Sequence, residues 1–173
     1  YFIWGASECN ATVYFPDGMD MTRARLIYAT KGCKFDIRLP SDMTTFGQYA
    51  FYATNSTEPE EGWTEFKMTI PDSVETLTGY LFGGCVINDV VFPKNIKTIE
   101  KYALRYCTRE TEFVIPKTIE TYVEYGIYYG TFSKVVFEEG MEEIPASSTY
   151  GKFYYSTIGE LTLPSTLKTI GNY

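Results

Sequence analysis

The apolar positions of this chain recur in a fixed frame around proline. In the stretch Ile87 to Cys107, INDVVFPKNIKTIEKYALRYC, apolar residues stand six, three and one positions before Pro93 (Ile87, Val90, Phe92) and three and six after it (Ile96, Ile99). A Tyr102-Ala103-Leu104 triplet follows, and Cys107 closes the unit. The frame returns at Pro16, Pro40, Pro71, Pro116 and Pro164, with Glu138 in the anchor place between the last two. Successive steps are 24, 31, 22, 23, 22 and 26 residues, a period of 22 to 23 carrying two insertions. Three before the anchors stand Val13, Ile37, Met68, Val90, Phe113, Val135 and Leu161; one before stand Phe15, Leu39, Ile70, Phe92, Ile115, Phe137 and Leu163. The columns three and six after are equally apolar, with Thr22 the single exception among 28 slots.

Each unit predicts a shape. Alternation over the residues leading to the anchor predicts a short strand, and the proline ends it because it has no N–H to give a ladder. The apolar pair beyond the anchor suits a second extended or turn segment, and the Tyr-Ala-Leu triplet a helical or 3₁₀ turn back to the core. One such unit has nothing to bury its apolar side against, whereas stacked units share a core, at roughly 1.5–3 kcal/mol per buried aliphatic or aromatic side chain. The expectation is one repeat domain over residues 1–173, α/β or mostly β, with insertion loops at 54–63 and 146–152. Residues 1–12 do not fit the frame, and the last unit stops partway, so a fragment of a longer array is expected.

Composition narrows the chemistry. A net charge of −7 with both signs interspersed argues against a polyanion as partner, so no nucleic acid is expected. No apolar run approaches the ~20 residues that span a bilayer, so no direct membrane insertion is expected. There is no His, so general-base chemistry near neutrality would need a shifted carboxylate, Lys or thiol. The acid pairs Glu60-Glu61, Glu138-Glu139 and Glu142-Glu143 sit at turns and read as solvated charge. No enzyme, metal or cofactor is expected. Cys85 and Cys107 hold equivalent places in adjacent units; buried free thiols are the expected state, with a disulfide between them as the alternative. Cys9 and Cys33 fall outside that place, and their pairing stays open. Asn10 and Asn55 open glycosylation-type triplets that matter only in a eukaryotic source.

Function, if it uses the sheet, falls on strand residues pointing away from the core. Two before each anchor these are Tyr14, Arg38, Thr69, Val91, Val114, Val136 and Thr162. Val91, Val114 and Val136, flanked by Tyr14 and Arg38, form a candidate binding strip, although β-branched residues also simply suit strands. The surplus of tyrosine, 16 in all, suggests a glycan-binding alternative. Tyr49, Tyr80, Tyr102, Tyr125 and Tyr173 repeat nine after an anchor and read as structural; Tyr128, Tyr129, Tyr150, Tyr154 and Tyr155 lie outside that column and are the better candidates.

At IxxVxFPxxIxxIxxYAL and its copies, over about residues 13–173, the chain resembles the BspA-like leucine-rich repeats, built on LxxLxLPxxLxxIxxxAFxxC. Leu is scarce here, Ala-Phe is exact only at Ala50-Phe51, and the closing Cys is kept only at Cys85 and Cys107. The resemblance implies a right-handed leucine-rich-repeat solenoid of short strands with turn or 3₁₀ segments. It also implies a secreted or cell-surface protein acting in adhesion or recognition, with a protein or glycan as ligand. A structural spacer or assembly subunit, self-associating through its repeat ends, is the competing expectation.

Overall fold

A computed structural model describes residues 2–22, 25–53, 63–146 and 150–172. The alternating stretch before each anchor is a strand, as the pattern requires. Numbered in chain order, these are β2 (Asn10–Tyr14), β4 (Lys34–Arg38), β6 (Thr64–Thr69), β9 (Cys85–Val91), β12 (Thr108–Ile115), β14 (Thr131–Phe137) and β16 (Thr157–Thr162), in one parallel sheet ordered by sequence. Past the anchors lie two-residue strands: β7 (Thr76–Leu77), β10 (Thr98–Ile99) and β13 (Thr121–Tyr122) form one small parallel sheet, β15 (Glu143–Ile144) and β17 (Thr169–Ile170) another. A third face holds β1 (Ile3–Trp4), β3 (Ile27–Tyr28), β5 (Phe51–Tyr52), β8 (Phe82–Gly83) and β11 (Leu104–Arg105). The molecule is therefore a parallel β-solenoid in which each turn lays strands beside those of the turn before.

The triplet makes a hydrogen-bonded turn, Ala103 N–H donating to Glu100 O (3.1 Å) and Arg105 N–H to Tyr102 O (3.3 Å), but it does not extend to a helix, and no helix occurs among the described residues. Leu104 opens β11 instead, and its N–H donates to Gly126 O (3.0 Å) while Ala103 O accepts from Phe82 N (2.9 Å). Neighbouring turns thus satisfy the groups a helix would have paired within itself. The apparent misfit of residues 1–12 resolves in the same way. Ile3 and Trp4 pair with Ile27 and Tyr28, so they are the third-face strand of a preceding turn. The expected insertions fall mostly on 54–62 and 147–149, which lie outside the described residues.

The core is the predicted set of columns. Val13 pairs with Ile37, Met68 with Val90, Phe113 with Val135 and Val135 with Leu161, and all but Leu161 are buried. In the first unit Met21, rather than Thr22, fills the place six beyond the anchor. Leu161, Leu163 and Ile170 are exposed because no further turn covers them within these residues.

Turns are tied to one another at the anchors. The N–H of Ser41 donates to the Asp17 carboxylate (2.7 Å), that of Lys94 to Asp72 (2.9 Å), and that of Lys117 to Glu138 (2.8 Å). The hydroxyls of Ser73, Thr118 and Thr166 donate to the carbonyls of Met43, Ile96 and Met141, each one turn back.

One sequence expectation is corrected. Asn10 pairs with Lys34, Lys34 with Glu65 and Thr64 with Cys85, so Cys9, Cys33, Thr64, Cys85 and Cys107 share a single column, which the uneven insertions had hidden. Cys9 and Cys33 are disulfide-bonded, with Cα atoms 4.4 Å apart. Cys85 and Cys107 are buried free thiols with sulfurs 3.9 Å apart, and burial pushes the Cys85 thiol well above its ordinary range.

Candidate functional site

Outward residues of the long sheet run in two rows. Four before each anchor the charges alternate along the ladder. Lys67 pairs with Asp36 (3.3 Å), and Lys134 bridges Glu112 and Glu160 (3.3 Å each), whose hydrogen bonds raise the Lys134 pKa. These exposed pairs add little stability but fix the polarity of the face. The alternation fails once, at Asp89 and Glu112, two acids at neighbouring places in the row on β9 and β12.

The ladder fails at the same point. β9 carries an extra residue against β6 between Val86 and Asp89, and β12 an extra one against β14 between Arg109 and Glu112. The two bulged strands pair with each other only through Thr108 and Val86. Side chains replace the missing backbone bonds. Arg109 Nη1 donates to Ile87 O and to Val90 O (2.9 Å), and its Nε to Glu112 O (3.0 Å). Glu110 N–H donates to Asn88 Oδ1 (2.7 Å), and Thr111 Oγ1 to Asn88 O (3.1 Å). The guanidinium also lies 5.6 Å from the centre of the Phe92 ring. Burial pushes the Arg109 pKa down, offset in part by Asp89.

Over this break lies a groove of about 840 Å³. Its floor and walls include Val91, Val114 and Phe92; Asp89 and Glu112 stand on one side, and Arg38, Lys67, Lys94 and Arg109 supply positive charge. The volume is that of an ordinary small-ligand or side-chain pocket. Of the predicted strip, Arg38, Val91 and Val114 line the groove, whereas Tyr14 and Val136 do not. Val136 sits beside Val114 in the same row but away from the break, and Tyr14 pairs with Arg38 on the first strand. Val91 and Val114 are 56% and 41% exposed. Arg109 was missed because charge in a strand reads as an outward residue. A cue was present: Asn88-Asp89 and Glu110-Thr111-Glu112 lengthen these two strands, the composition of a bulge.

The third face carries the tyrosines. Tyr49, Tyr80, Tyr102 and Tyr125 stack in sequence at 4.4, 5.0 and 5.4 Å, and Tyr150 continues the stack at 4.8 Å from Tyr125, so it joins the structural column. Beside them Tyr128 stacks on Tyr154 (6.1 Å) and Tyr129 on Tyr155 (4.9 Å). Backbone φ is positive at Tyr49, Tyr80, Tyr102, Tyr106, Tyr125, Tyr129 and Tyr155, between 52° and 61°. That left-handed conformation costs about 1–2 kcal/mol relative to the right-handed one for a side chain with a Cβ, which ring stacking at ~0.5–1.5 kcal/mol per pair offsets.

Among the described residues no group of three or more His, Cys, Asp or Glu is disposed to hold a metal ion. Successive parallel turns around a shared core define the chain as a repeat solenoid. A family model, the BspA type leucine-rich repeat region, matches residues 9–61 and 27–152 in six copies. The chain belongs to that family. No match was found among curated proteins or among solved structures.

Proposed function

We propose that this chain is a non-catalytic recognition module of a secreted or cell-surface protein. It binds a protein or glycan ligand across the strand face, with the groove between β9 and β12 as the seat. The carrying observation is that the shortest pairing in the long ladder, that of β9 with β12, coincides with the exposed Val91 and Val114 and with charges of both signs at its rim. An apolar floor with a few convergent polar groups is the usual make-up of a binding site. The Cys9–Cys33 disulfide is in keeping with an oxidising compartment. The net charge of −7 speaks against nucleic acid.

The test is a screen of immobilised surface proteins and glycans, repeated with Val91→Glu, Val114→Glu and Val136→Glu. A saturable ligand lost with the first two variants and kept with the third supports the seat. Retention by all three removes it.

A second reading has its own observation. Phe2 and Trp4 near one end, and Leu161 and Ile170 at the other, are each at least 50% exposed. Assembly through the ends would cover them. Sedimentation showing self-association that Ile170→Glu abolishes, with no ligand found in the screen, would favour this spacer role.

A further inference from the structure

Phe and Tyr are sorted between inside and outside on the third face. Its inward column is Ile3, Ile27, Phe51, Phe82, Leu104, then Ile127 and Phe153; the other columns carry tyrosines, buried at Tyr52 and Tyr106 and exposed towards the Tyr129, Tyr150 and Tyr155 end. Tyr129, Tyr150 and Tyr155 are 38%, 42% and 63% exposed. Left-handed backbone favours Gly or Asn, so Tyr155 at φ 56° is not the residue its backbone asks for. It gains ring contacts with Tyr129 and Tyr154 in return, and most of its surface stays open.

In the middle of the terrace stands a cation with no counter-ion among the described residues. The column Trp4, Tyr28, Tyr52 continues as Gly83 and Arg105 before tyrosine returns at Tyr128. A Cβ on Gly83 would lie 2.1 Å from the Tyr52 ring, so the glycine lets that ring lie flat over it. Arg105 reaches Tyr52 Oη through Nη1 and Tyr106 Oη through Nη2, both at 3.3 Å, and lies 4.6–5.8 Å from the ring centres of Tyr102, Tyr106 and Tyr128. Its Nε is buried without a partner. Among the described residues no carboxylate lies within ion-pair distance of Arg105, whereas Lys101 in the same terrace is neutralised by Glu124 at 2.8 Å.

We propose that this terrace is a second binding surface, for glycans bearing a carboxylate. Arg105 seats the carboxylate, and the exposed rings of Tyr129 and Tyr155 pack against the sugar. A half-buried guanidinium held by neutral hydroxyls retains its charge for an anion, and the guanidinium is the side chain best shaped to pair a carboxylate. Hydroxyl-edged rings set side by side suit a ligand that is apolar on its ring faces and polar around its rim. A protein hot spot would instead seat an anchor residue in a desolvated pocket, and the surface here offers the exposed rings of Tyr129 and Tyr155 beside a half-buried guanidinium. The surface is separate from the groove, so its failure and that of the groove read out independently.

The experiment is an array of glycans ending in uronic or sialic acids beside the same glycans with the carboxylate methyl-esterified. It is probed with the intact chain and with Arg105→Gln, Tyr155→Gly, Tyr129→Gly and, as a control on an exposed residue outside both surfaces, Thr162→Ala. The glycine variants keep the left-handed backbone, and circular dichroism with thermal melting checks that every variant folds. Expected is saturable binding to acidic glycans at least tenfold tighter than to their esters. Arg105→Gln should abolish that preference, each glycine variant should weaken binding at least fivefold, and Thr162→Ala should leave it unchanged. Equal binding of acids and esters overturns the role of Arg105. The absence of any bound acidic glycan overturns the proposal, as does capture of an acidic peptide such as polyglutamate with every glycan ignored.

Discussion

Arg109 stands in a column that is otherwise Ala11, Phe35, Phe66, Ile87, Phe132 and Ile158, and it stays there because two bulges leave the carbonyls of Ile87 and Val90 without ladder partners. An unsatisfied buried carbonyl costs about 1–3 kcal/mol, so Arg109→Met should destabilise the chain by that order, read as a lower urea midpoint. An unchanged midpoint would mean that the arginine does not hold the break together. A second residue sets a limit in alkali. Burial pushes the Tyr52 phenol up to about 12, with Arg105 opposing. A phenol held neutral in the fold lends stability that is whole below its ordinary titration near pH 10. That stability is lost as pH rises through 12, at about 2–3 kcal/mol for a shift of this size. Tyr122, buried and without a partner for its hydroxyl, shifts in the same direction. Thermal melts between pH 9 and 12 should therefore fall steeply above about 10 in the parent and less steeply in Tyr52→Phe.

Between elements the strength of the stack is uneven. β2 and β4 are joined by a full ladder and by the Cys9–Cys33 disulfide, whereas β9 and β12 share one backbone pairing and depend on Arg109, Asn88 and Thr111. A cross-link closing a loop of 24 residues is worth about 3 kcal/mol in the chain-entropy model, so reduction should lower the stability of the first two turns by that order. Hydrogen exchange before and after reduction should show the loss concentrated in β2 and β4. Uniform loss over the chain would mean that the stack unfolds as one unit.

The strands, their register and the buried columns were legible from proline spacing and alternation, because a period-two strand facing a shared core leaves little freedom. The two-residue strands of the third face were not, since pairs such as Phe51–Tyr52 and Leu104–Arg105 gain their conformation only from the turns beside them. Insertions of unequal length hid the common column of Cys9, Cys33, Cys85 and Cys107 in the same way. Half of the candidate site was readable: Val91 and Val114 appear in the outward row, but the break that makes a groove between them rests on one-residue bulges that a tolerant repeat frame absorbs.

Across the described residues, the account rests on turns laid in register around one core, with the long sheet opened between β9 and β12. Both parts are open to the same measurement, inter-strand amide–amide NOEs from the ¹⁵N-labelled chain. The account predicts contacts between Val13 and Ile37, Met68 and Val90, Phe113 and Val135, and Val135 and Leu161, and none between Val91 and Val114. A continuous series through Val91 and Val114 would contradict the groove, and a helical pattern of sequential contacts in place of the cross-turn ones would contradict the solenoid itself.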